Sequence, residues 1–262
     1  FMGGAEVRPV IVDMSQISLA AALQVFEHSE PIKLGMLRHV VLNTLKANVT
    51  RFKNQGYNEI VLGIDNAANG YWRRDLAYYY KKHRAEEREK SLWEWAGYFE
   101  NIRVIIDEFK KYMPYKVIDI DKVEADDIIA VVVKLSHLNG SDSLIVSSDS
   151  DFTQLHKYNV KQWSPMQKKF VKPKHGSSYA DLMYKLLKGD RKDTIAGINS
   201  VSDYWLVREE GQRAKSVPTK LILDCMDKNP EEVLNEDQYK RFVENRLLLD
   251  FDYIPESIVN QI

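Results

Sequence analysis

Short apolar segments alternate with longer segments of helical period over the first 150 residues. Apolar runs predict buried strands at residues 7–13, 59–65, 116–121 and 143–149. Helical periodicity predicts helices at residues 17–26, 34–52 and 124–135, and Ser15 is expected to cap the first of them. This alternation indicates an α/β protein with a mostly parallel, twisted sheet flanked by helices on both faces.

The pattern changes after residue 151. Residues 160–172 alternate in polarity around Ser164-Pro165, which predicts a hairpin. From about residue 177 onward, helical periodicity dominates, with the main candidates at 181–190, 219–227 and 238–249. We therefore expect a second, helical part of the chain that begins near residue 177.

Composition and charge restrict the class of protein. The net charge is −1 and the pI is about 6.7, so a nucleic-acid partner would have to be recognised by local rather than global charge. The single cysteine, Cys225, suits a reducing compartment. The longest apolar run is too short to cross a bilayer, and we expect a cytoplasmic protein without a membrane segment.

Acidic residues stand at the ends of three predicted strands. Asp13, Asp65 and Asp149 close these strands, and the carboxyl ends of parallel strands share one edge of a sheet. Further acids in nearby segments are Glu124, Asp126, Asp127, Asp151, Asp190 and Asp193. Convergent carboxylates repel one another unless a hard cation such as Mg²⁺ or Mn²⁺ joins them, and two such ions can support phosphodiester hydrolysis. Taken singly, each acid could instead cap a helix or solvate a turn.

Other catalytic chemistries lack their motifs in this sequence. There is neither a His and Cys cluster with zinc spacing nor a Gly-rich phosphate loop. Ser147-Ser148 has no nucleophile-elbow context, and Asp13-Met14-Ser15 lacks the second Asp of an aspartyl phosphatase. The acidic constellation is therefore the main candidate for chemistry.

Basic residues form three local groups. The first, at residues 71–90, interleaves with tyrosines and includes Arg73, Arg74, Lys81, Lys82 and Arg84. On a helix Lys81 and Arg84 would share a face. The second comprises six lysines between residues 157 and 174, and the third comprises Lys185, Lys188, Arg191 and Lys192. Such groups can bind phosphates, and a helix start beside the third would strengthen it, but each could also be a solvated surface.

Several motifs in combination resemble the 5′-nuclease (flap endonuclease) superfamily. They are IVDMSQ (11–16), GIDNA (63–67), YWRRDLAYYYKKHR (71–84), VEADDIIA (123–130), SSDSDFTQLHKY (147–158) and KGDRKDTIAGI (188–198). The resemblance runs from about residue 9 to the end of the chain. The combination of EADD with SSDxDFxQL carries most of its specificity.

The resemblance implies a fold and a domain organisation. Residues 5–176 would form a PIN-like nuclease domain with a helical arch at about 66–100. Residues 177–262 would form a helical DNA-binding region with a helix-three-turn-helix element. Thr194 and Asn199-Ser200-Val201 depart from the family's usual turn, which leaves its monovalent-cation site open.

The resemblance also implies an activity: 5′→3′ exonuclease and flap endonuclease action that removes RNA primers during lagging-strand replication. The first of two Mg²⁺ sites, where Mn²⁺ could substitute, would use Asp13, Asp65, Asp126 and Asp149, with Glu124 nearby. The second would use Asp151 and Asp193, with Asp190 and Asp127 nearby. Lys81 and Arg84 would hold the scissile phosphate, supported by Arg73, and Arg74, Lys82, Lys188, Arg191 and Lys192 would contact substrate.

The resemblance implies that the substrates are DNA and RNA–DNA duplexes with 5′ ends, flaps or forks. It also implies a replication clamp or a single-strand-binding protein as a partner, and a monomeric enzyme located in the host cytoplasm. Two other interpretations compete. One is a PIN-type ribonuclease acting on single-stranded RNA, which the long helical part disfavours. The other is a catalytically silent DNA-junction binding protein, which the complete set of acids disfavours.

Overall fold

A six-stranded sheet forms the centre of the computed structural model, which describes residues 6–262. Its strands are β1 (Pro9–Asp13), β2 (Glu59–Ile64), β3 (Lys116–Asp119), β4 (Ser143–Val146), β5 (Val160–Ser164) and β6 (Lys169–Phe170). The order is β3-β2-β1-β4-β5-β6, in which the first five strands run parallel and β6 is antiparallel to β5. The mostly parallel sheet and the hairpin at residues 160–170 agree with the predictions.

Helices surround the sheet and make up most of the chain after residue 177. The α-helices are α1 (Met14–Val25), α2 (Leu34–Lys53), α3 (Trp72–Leu76), α4 (His83–Lys90), α5 (Trp95–Tyr112), α6 (Ala125–Leu138), α7 (Ser178–Lys188), α8 (Tyr204–Val207), α9 (Thr219–Asp227), α10 (Pro230–Val233), α11 (Glu236–Leu249) and α12 (Glu256–Val259). Three 3-10 helices span Ser150–Tyr158, Arg191–Asp193 and Phe251–Tyr253. Within residues 6–262, no helix has the length and apolar content required to traverse a bilayer.

Side chains on the two faces of β1 pack in two different hydrophobic clusters. Val10 and Val12 pack on the side of α1, α2 and α5, whereas Ile11 packs on the side of α6. All five residues of β1 are buried, as expected for a central strand covered on both faces. This two-sided burial fixes the register of the strand and hence the edge at which Asp13 stands.

The first helix begins directly where β1 ends. Asp13 is the residue that precedes α1, and Ser15 lies inside the helix, so the prediction that Ser15 caps it is wrong. Instead, the Ser15 hydroxyl accepts a hydrogen bond of 3.0 Å from the backbone N–H of Asp65. Ser15 therefore joins α1 to the end of β2, which brings the first two strand-end acids together.

A third hydrophobic cluster joins the region after residue 177 to the middle of the chain. Ala77, Tyr79 and Tyr80 pack with buried residues of α7, α9 and α11. Tyr78, between them, is exposed and donates a hydrogen bond to Asp203. Two of the three consecutive tyrosines therefore belong to the core rather than to a stacking surface.

The last residues return to the sheet. Phe251, Ile254 and Ile258 pack in the cluster that contains Ile11 and the buried face of α6. Gln154 holds this C-terminal segment against the sheet, because its side-chain amide donates to the Leu249 carbonyl and accepts from the Phe251 N–H. The helical part thus contacts the α/β part at both of its ends.

Candidate metal centre and its basic wall

A cavity of about 780 Å³ opens at the carboxyl edge of the sheet. Its acidic lining comes from Glu100 on α5 and from six aspartates: Asp13, Asp65, Asp126, Asp149, Asp151 and Asp193. Its basic lining comes from Lys81, Arg84, Arg88, Arg103 and Lys192. The cavity therefore has carboxylates on the side of the strands and cations from α4, α5 and the segments beside them.

Two groups of three carboxylates have oxygens within 4.8 Å of one another. The first group contains Asp126, Asp149 and Asp151, and the second contains Asp151, Asp190 and Asp193. Asp151 belongs to both groups. Of the acids assigned to the first metal site, Asp13 and Asp65 line the same cavity but lie outside this tight group.

The carboxylates are positioned by the ends of secondary structure. Asp13 ends β1 and accepts a hydrogen bond of 2.9 Å from the Ser147 hydroxyl. Asp65 follows β2 and accepts one of 2.6 Å from the backbone N–H of Ala125, the first residue of α6. Asp149 caps the 3-10 helix Ser150–Tyr158 by accepting from the Asp151 N–H. The geometry thus follows from the crossover connections of the parallel sheet.

Crowding and burial change the ionisation of this edge. Burial, together with the charges of Asp65 and Asp149, raises the pKa of Asp13 to about 8. Burial and Asp149 likewise raise the pKa of Asp126, and burial raises that of Asp65. These carboxylates favour a nearby cation, since a positive charge would offset the repulsion that raises their pKa values.

The residues present fit a hard divalent ion. Both groups consist of carboxylates, which are the ligands preferred by Mg²⁺ and Mn²⁺ rather than by softer metals. Asp190 Oδ2 is buried and accepts no hydrogen bond from the described residues, although Lys185 Nζ lies 3.3 Å away. An uncommitted buried carboxylate oxygen of this kind is available as a ligand.

Two lysines stand among the carboxylates of both groups. Lys192 Nζ lies 3.3 Å from both Asp149 and Asp151, and Lys185 Nζ forms an ion pair with Asp151. Burial would lower the pKa of Lys192, but Asp149 and Asp190 outweigh it and raise the pKa. Lys192, predicted to contact substrate, is thus also part of the charge balance of the site.

Two acids assigned to the metal sites have a different role. Asp127 is fully buried, and its oxygens accept hydrogen bonds from Trp72 Nε1 and from the Arg73 guanidinium. Glu124 precedes α6 and forms a capping box with Asp127. Both belong to neither group of convergent carboxylates, and buried donors occupy their oxygens, which contradicts the prediction that they ligate metal.

Arg73 is committed to the same buried network. Its side chain is 2% exposed, and it donates to Glu124, to Asp127 and to the Leu248 carbonyl. The prediction that Arg73 contacts substrate is therefore wrong, because its donors face the protein. It instead ties α3 to the start of α6 and the end of α11.

Lys81 lies in the cavity wall but not on a helix. Its backbone is left-handed, with φ of 53°, and α4 begins only at His83, so the predicted helical pair with Arg84 is wrong. Lys81 Nζ forms a buried ion pair with Glu124, and Arg84 donates 3.0 Å to Asp193. Burial would raise the pKa of Glu124, but Lys81 and Arg73 hold it at about 2. Both cations nevertheless line the same cavity as the carboxylates.

The other predicted substrate contacts, Arg74, Lys82, Lys188 and Arg191, are not among the residues that line this cavity. Arg74 and Lys82 are exposed beside α3 and α4. Lys188 ends α7, and the Arg191 guanidinium lies 4.3 Å from the Trp205 ring centroid. The predicted helix N-terminus at GDRKD is absent, because this stretch follows the C-terminus of α7 and forms only a 3-10 turn.

Sequence reasoning missed one side of the cavity. Arg88, Tyr98 and Phe99 line it, and the Arg88 guanidinium lies 4.8 Å from the Phe99 ring centroid. The i, i+4 spacing of Arg84 and Arg88 could have indicated a shared helix face. The spacing from Arg88 to Phe99, across the turn between α4 and α5, gave no such signal.

Comparison with known proteins agrees with these features. Residues 11–180 match the family described as 5′-3′ exonuclease, N-terminal resolvase-like domain, and residues 176–262 match the family described as T4 RNase H, C terminal. The chain is 54% identical to the ribonuclease H of Enterobacteria phage T4, over 96% of this chain and 84% of that protein. It is 30% identical to DNA polymerase I of Streptococcus pneumoniae serotype 4, over 44% of this chain and 14% of that protein.

Solved structures share the fold at low sequence identity. A bacteriophage T5 flap endonuclease, in a pseudo-enzyme-product complex with DNA and metal ions, superposes with a TM-score of 0.65 at 17% identity. A T5 5′-exonuclease with bound zinc superposes with a TM-score of 0.63 at 18% identity. In both cases 97% of this chain and 96% of the other are covered. The predicted resemblance to the 5′-nuclease (flap endonuclease) superfamily is thus confirmed, and the chain belongs to the 5′-3′ exonuclease family of nucleases.

Proposed function

We propose that the protein is a divalent-metal-dependent 5′→3′ exonuclease and flap endonuclease. It hydrolyses phosphodiester bonds at the 5′ ends of RNA–DNA and DNA duplexes, and it removes RNA primers in lagging-strand replication. The observation that carries the proposal is the pair of carboxylate groups that share Asp151, in a cavity that Lys81 and Arg84 also line.

Two ions, Mg²⁺ or Mn²⁺, fit the two groups. Asp126, Asp149 and Asp151 would hold one ion, with Asp13 and Asp65 beside them. Asp151, Asp190 and Asp193 would hold the other. Such ions supply an activated water and stabilise the leaving oxygen.

The chain's own residues supply the remaining steps. Lys81 and Arg84 orient the scissile phosphate across the cavity and stabilise the charge that develops on its oxygens. Arg74, Lys82, Lys188, Arg191 and Lys192 neutralise neighbouring phosphates. These contacts position the substrate without reading its sequence.

The proposed domain organisation follows from the same residues. Residues 5–176, of which residue 5 lies outside the described part of the chain, form the nuclease domain, with an arch at about 66–100 above the cavity. Residues 177–262 form the DNA-binding region, in which α7, the turn at 189–203 and α8 act as the helix-three-turn-helix. The enzyme works as a monomer in the host cytoplasm, together with a replication clamp or a single-strand-binding protein.

The test is cleavage of substrates labelled at the 5′ end. An RNA–DNA primer duplex, a nicked DNA duplex and a 5′ flap are incubated with Mg²⁺, Mn²⁺ or EDTA. Asp126→Asn removes one ligand charge without changing shape, and Asp227→Asn, at the exposed end of α9, is the matched control. Short 5′ products that require both the metal and Asp126 support the proposal.

Asp126→Asn should reduce cleavage on the order of 10³-fold or more, because metal coordination contributes several kcal/mol to the transition state. Binding should persist or tighten, since one negative charge near the phosphates is lost. Fork binding without cleavage under either metal would instead indicate a catalytically silent junction-binding protein.

A further inference from the structure

A second cavity, of about 300 Å³, adjoins the metal centre. It lies between the 3-10 helix Ser150–Tyr158, the loop at residues 172–177 and α7. Asp151 lines both this cavity and the larger one. Lys174, Lys185 and Lys188 line the second cavity as well. A basic surface therefore begins where the second carboxylate group ends.

The loop that carries Lys174 is held in place by one carboxylate. Asp181 accepts hydrogen bonds from the backbone N–H groups of Lys174 (3.0 Å) and His175 (2.7 Å) and from the Thr153 hydroxyl (2.7 Å). Its two oxygens are thus occupied by protein donors. Asp181, the one acidic residue of α7 in this cavity, therefore fixes the loop and forms no ion pair with the Lys174 ammonium.

An aromatic stack connects this loop to α7. The His175 ring lies parallel to the Tyr184 ring, at 3.7 Å between centroids and 7° between planes. Lys188, one helical turn further along, has its ammonium 5.6 Å from the Tyr184 centroid. Lys174 and Lys188 are exposed and form no salt bridge with any residue in 6–262, whereas Lys185 is paired with Asp151 and Asp190.

We propose that Lys174 and Lys188, on either side of the His175–Tyr184 stack, bind the phosphodiester backbone of the duplex beside the cut. The site lies beyond Asp151, outside the cavity that holds the scissile phosphate, and it rests on the proposed nuclease function. Asp181 fixes the backbone that carries Lys174, and the Lys188 ammonium lies beside the Tyr184 ring, so binding loses less conformational entropy than it would with free lysines. The contact involves phosphates and carries no sequence preference.

The experiment measures binding of a labelled nicked duplex in EDTA over a series of salt concentrations. Each lysine–phosphate contact contributes about 0.9 to the slope of log K against log salt. Lys174→Ala/Lys188→Ala should therefore lower the magnitude of the slope by about 2, with an affinity loss of at least about tenfold near 0.1 M salt. Lys46→Ala/Lys53→Ala, on exposed positions of α2, is the control and should leave both quantities unchanged.

The stack is tested separately. Tyr184→Phe keeps the ring and should bind as the parent does, whereas Tyr184→Ala should weaken binding. The substrate concentration for half-maximal cleavage by the double lysine variant should rise together with the loss of affinity. An unchanged salt slope in that variant would overturn the proposal.

Failure of this inference differs from failure of the proposed function. A parent protein that cuts none of the 5′ substrates refutes the nuclease proposal, while its salt slope is still measurable. A double variant with a reduced saturating rate and a parental slope would overturn the backbone contact and assign the lysines to the chemistry instead.

Discussion

The charged ammonium group of Lys81 lies in a buried environment that normally excludes charged side chains. It is 8% exposed, its backbone is left-handed, and its ion pair with Glu124 places it between the buried network and the cavity. Burial would lower the pKa of Lys81, but Glu124 raises it well above its ordinary value. The residue therefore has a structural role as well as the proposed catalytic one, and the two must be separated.

A paired substitution separates them. Lys81→Ala should lower the free energy of unfolding by about 3 kcal/mol, because Glu124 would remain buried with less compensation. Adding Glu124→Gln should recover part of that loss without restoring cleavage. Urea unfolding and flap cleavage of both variants check this. Recovery of cleavage in the double variant would contradict a direct role for Lys81 at the phosphate.

For individual residues, the sequence identified the candidate acidic side chains but could not predict which of them face the cavity. Asp126 and Asp127 are adjacent, yet one lines the cavity and the other pairs with Arg73. Their helix position turns them about 100° apart, and only the packing of α3 against α6 decides which one points to the sheet edge. Arg73 was assigned to substrate for the same reason, since its local sequence is basic and its buried partners are distant in the chain.

Arg73 also acts as a connection between elements. It is the buried cation that links α3, α6 and the end of α11. Arg73→Leu should lower the free energy of unfolding by about 3–5 kcal/mol, because two carboxylates would lose a buried partner. Its exposed neighbour provides the control: Arg74→Leu should change stability by about 0.5 kcal/mol or less. Equal effects in denaturant unfolding would disprove the buried network.

The turn after α7 depends on a single glycine. Gly189 has φ of 77°, and a Cβ there would lie 2.5 Å from backbone atoms of Ile195 and Ala196. Gly189→Ala should cost about 3 kcal/mol or more and reduce cleavage, since this turn carries Asp190 and Asp193. Gly176, with φ of 90° and open space around it, is the matched control. Gly176→Ala should cost only about 1–2 kcal/mol. Thermal unfolding that ranks the two variants the other way would refute this account.

Elements with a long hydrophobic period were predictable. The central strands and α2 lie within a few residues of their expected positions, because burial on one or both faces imposes a readable pattern. Short elements were not predictable: a helix that carries both Lys81 and Arg84, as considered above, is absent, and the segment contains the separate helices α3 and α4. The left-handed residue at Lys81 breaks that helix, and its buried pairing with Glu124 is a tertiary contact.

For the whole molecule, the acidic edge couples stability to pH and metal. A carboxyl whose folded pKa is raised, as for Asp13 at about 8, contributes stability below its unfolded pKa that is lost as pH rises towards 8. Asp65 and Asp126 shift in the same direction. In EDTA, the melting temperature should therefore fall between about pH 5.5 and about pH 8.5 from this contribution.

Mg²⁺ should reverse that trend. Because ligands bind metal in their deprotonated form, stabilisation by Mg²⁺ should be larger at about pH 8.5 than at about pH 5.5. At a hundredfold excess over the dissociation constant it would amount to about 2.7 kcal/mol. Asp13→Asn should flatten the pH dependence in EDTA. A melting temperature that rises with pH in EDTA and ignores Mg²⁺ would be incompatible with a metal centre at this edge.

The strand order has a consequence for the sequence of events during synthesis. Strands β3, β2 and β1 can pair once residue 119 has been made, whereas β4 joins β1 from more than 130 residues away in the chain. Asp149 and Asp151 arrive with β4, and Asp190 and Asp193 follow only after α7. Such distant contacts form slowly and late, and chains fold from the N-terminus as they leave the ribosome. If these aspartates hold the proposed metal ions, a nascent chain would stay inactive until the segment after α7 has emerged, and the metal centre would be among the last parts to form.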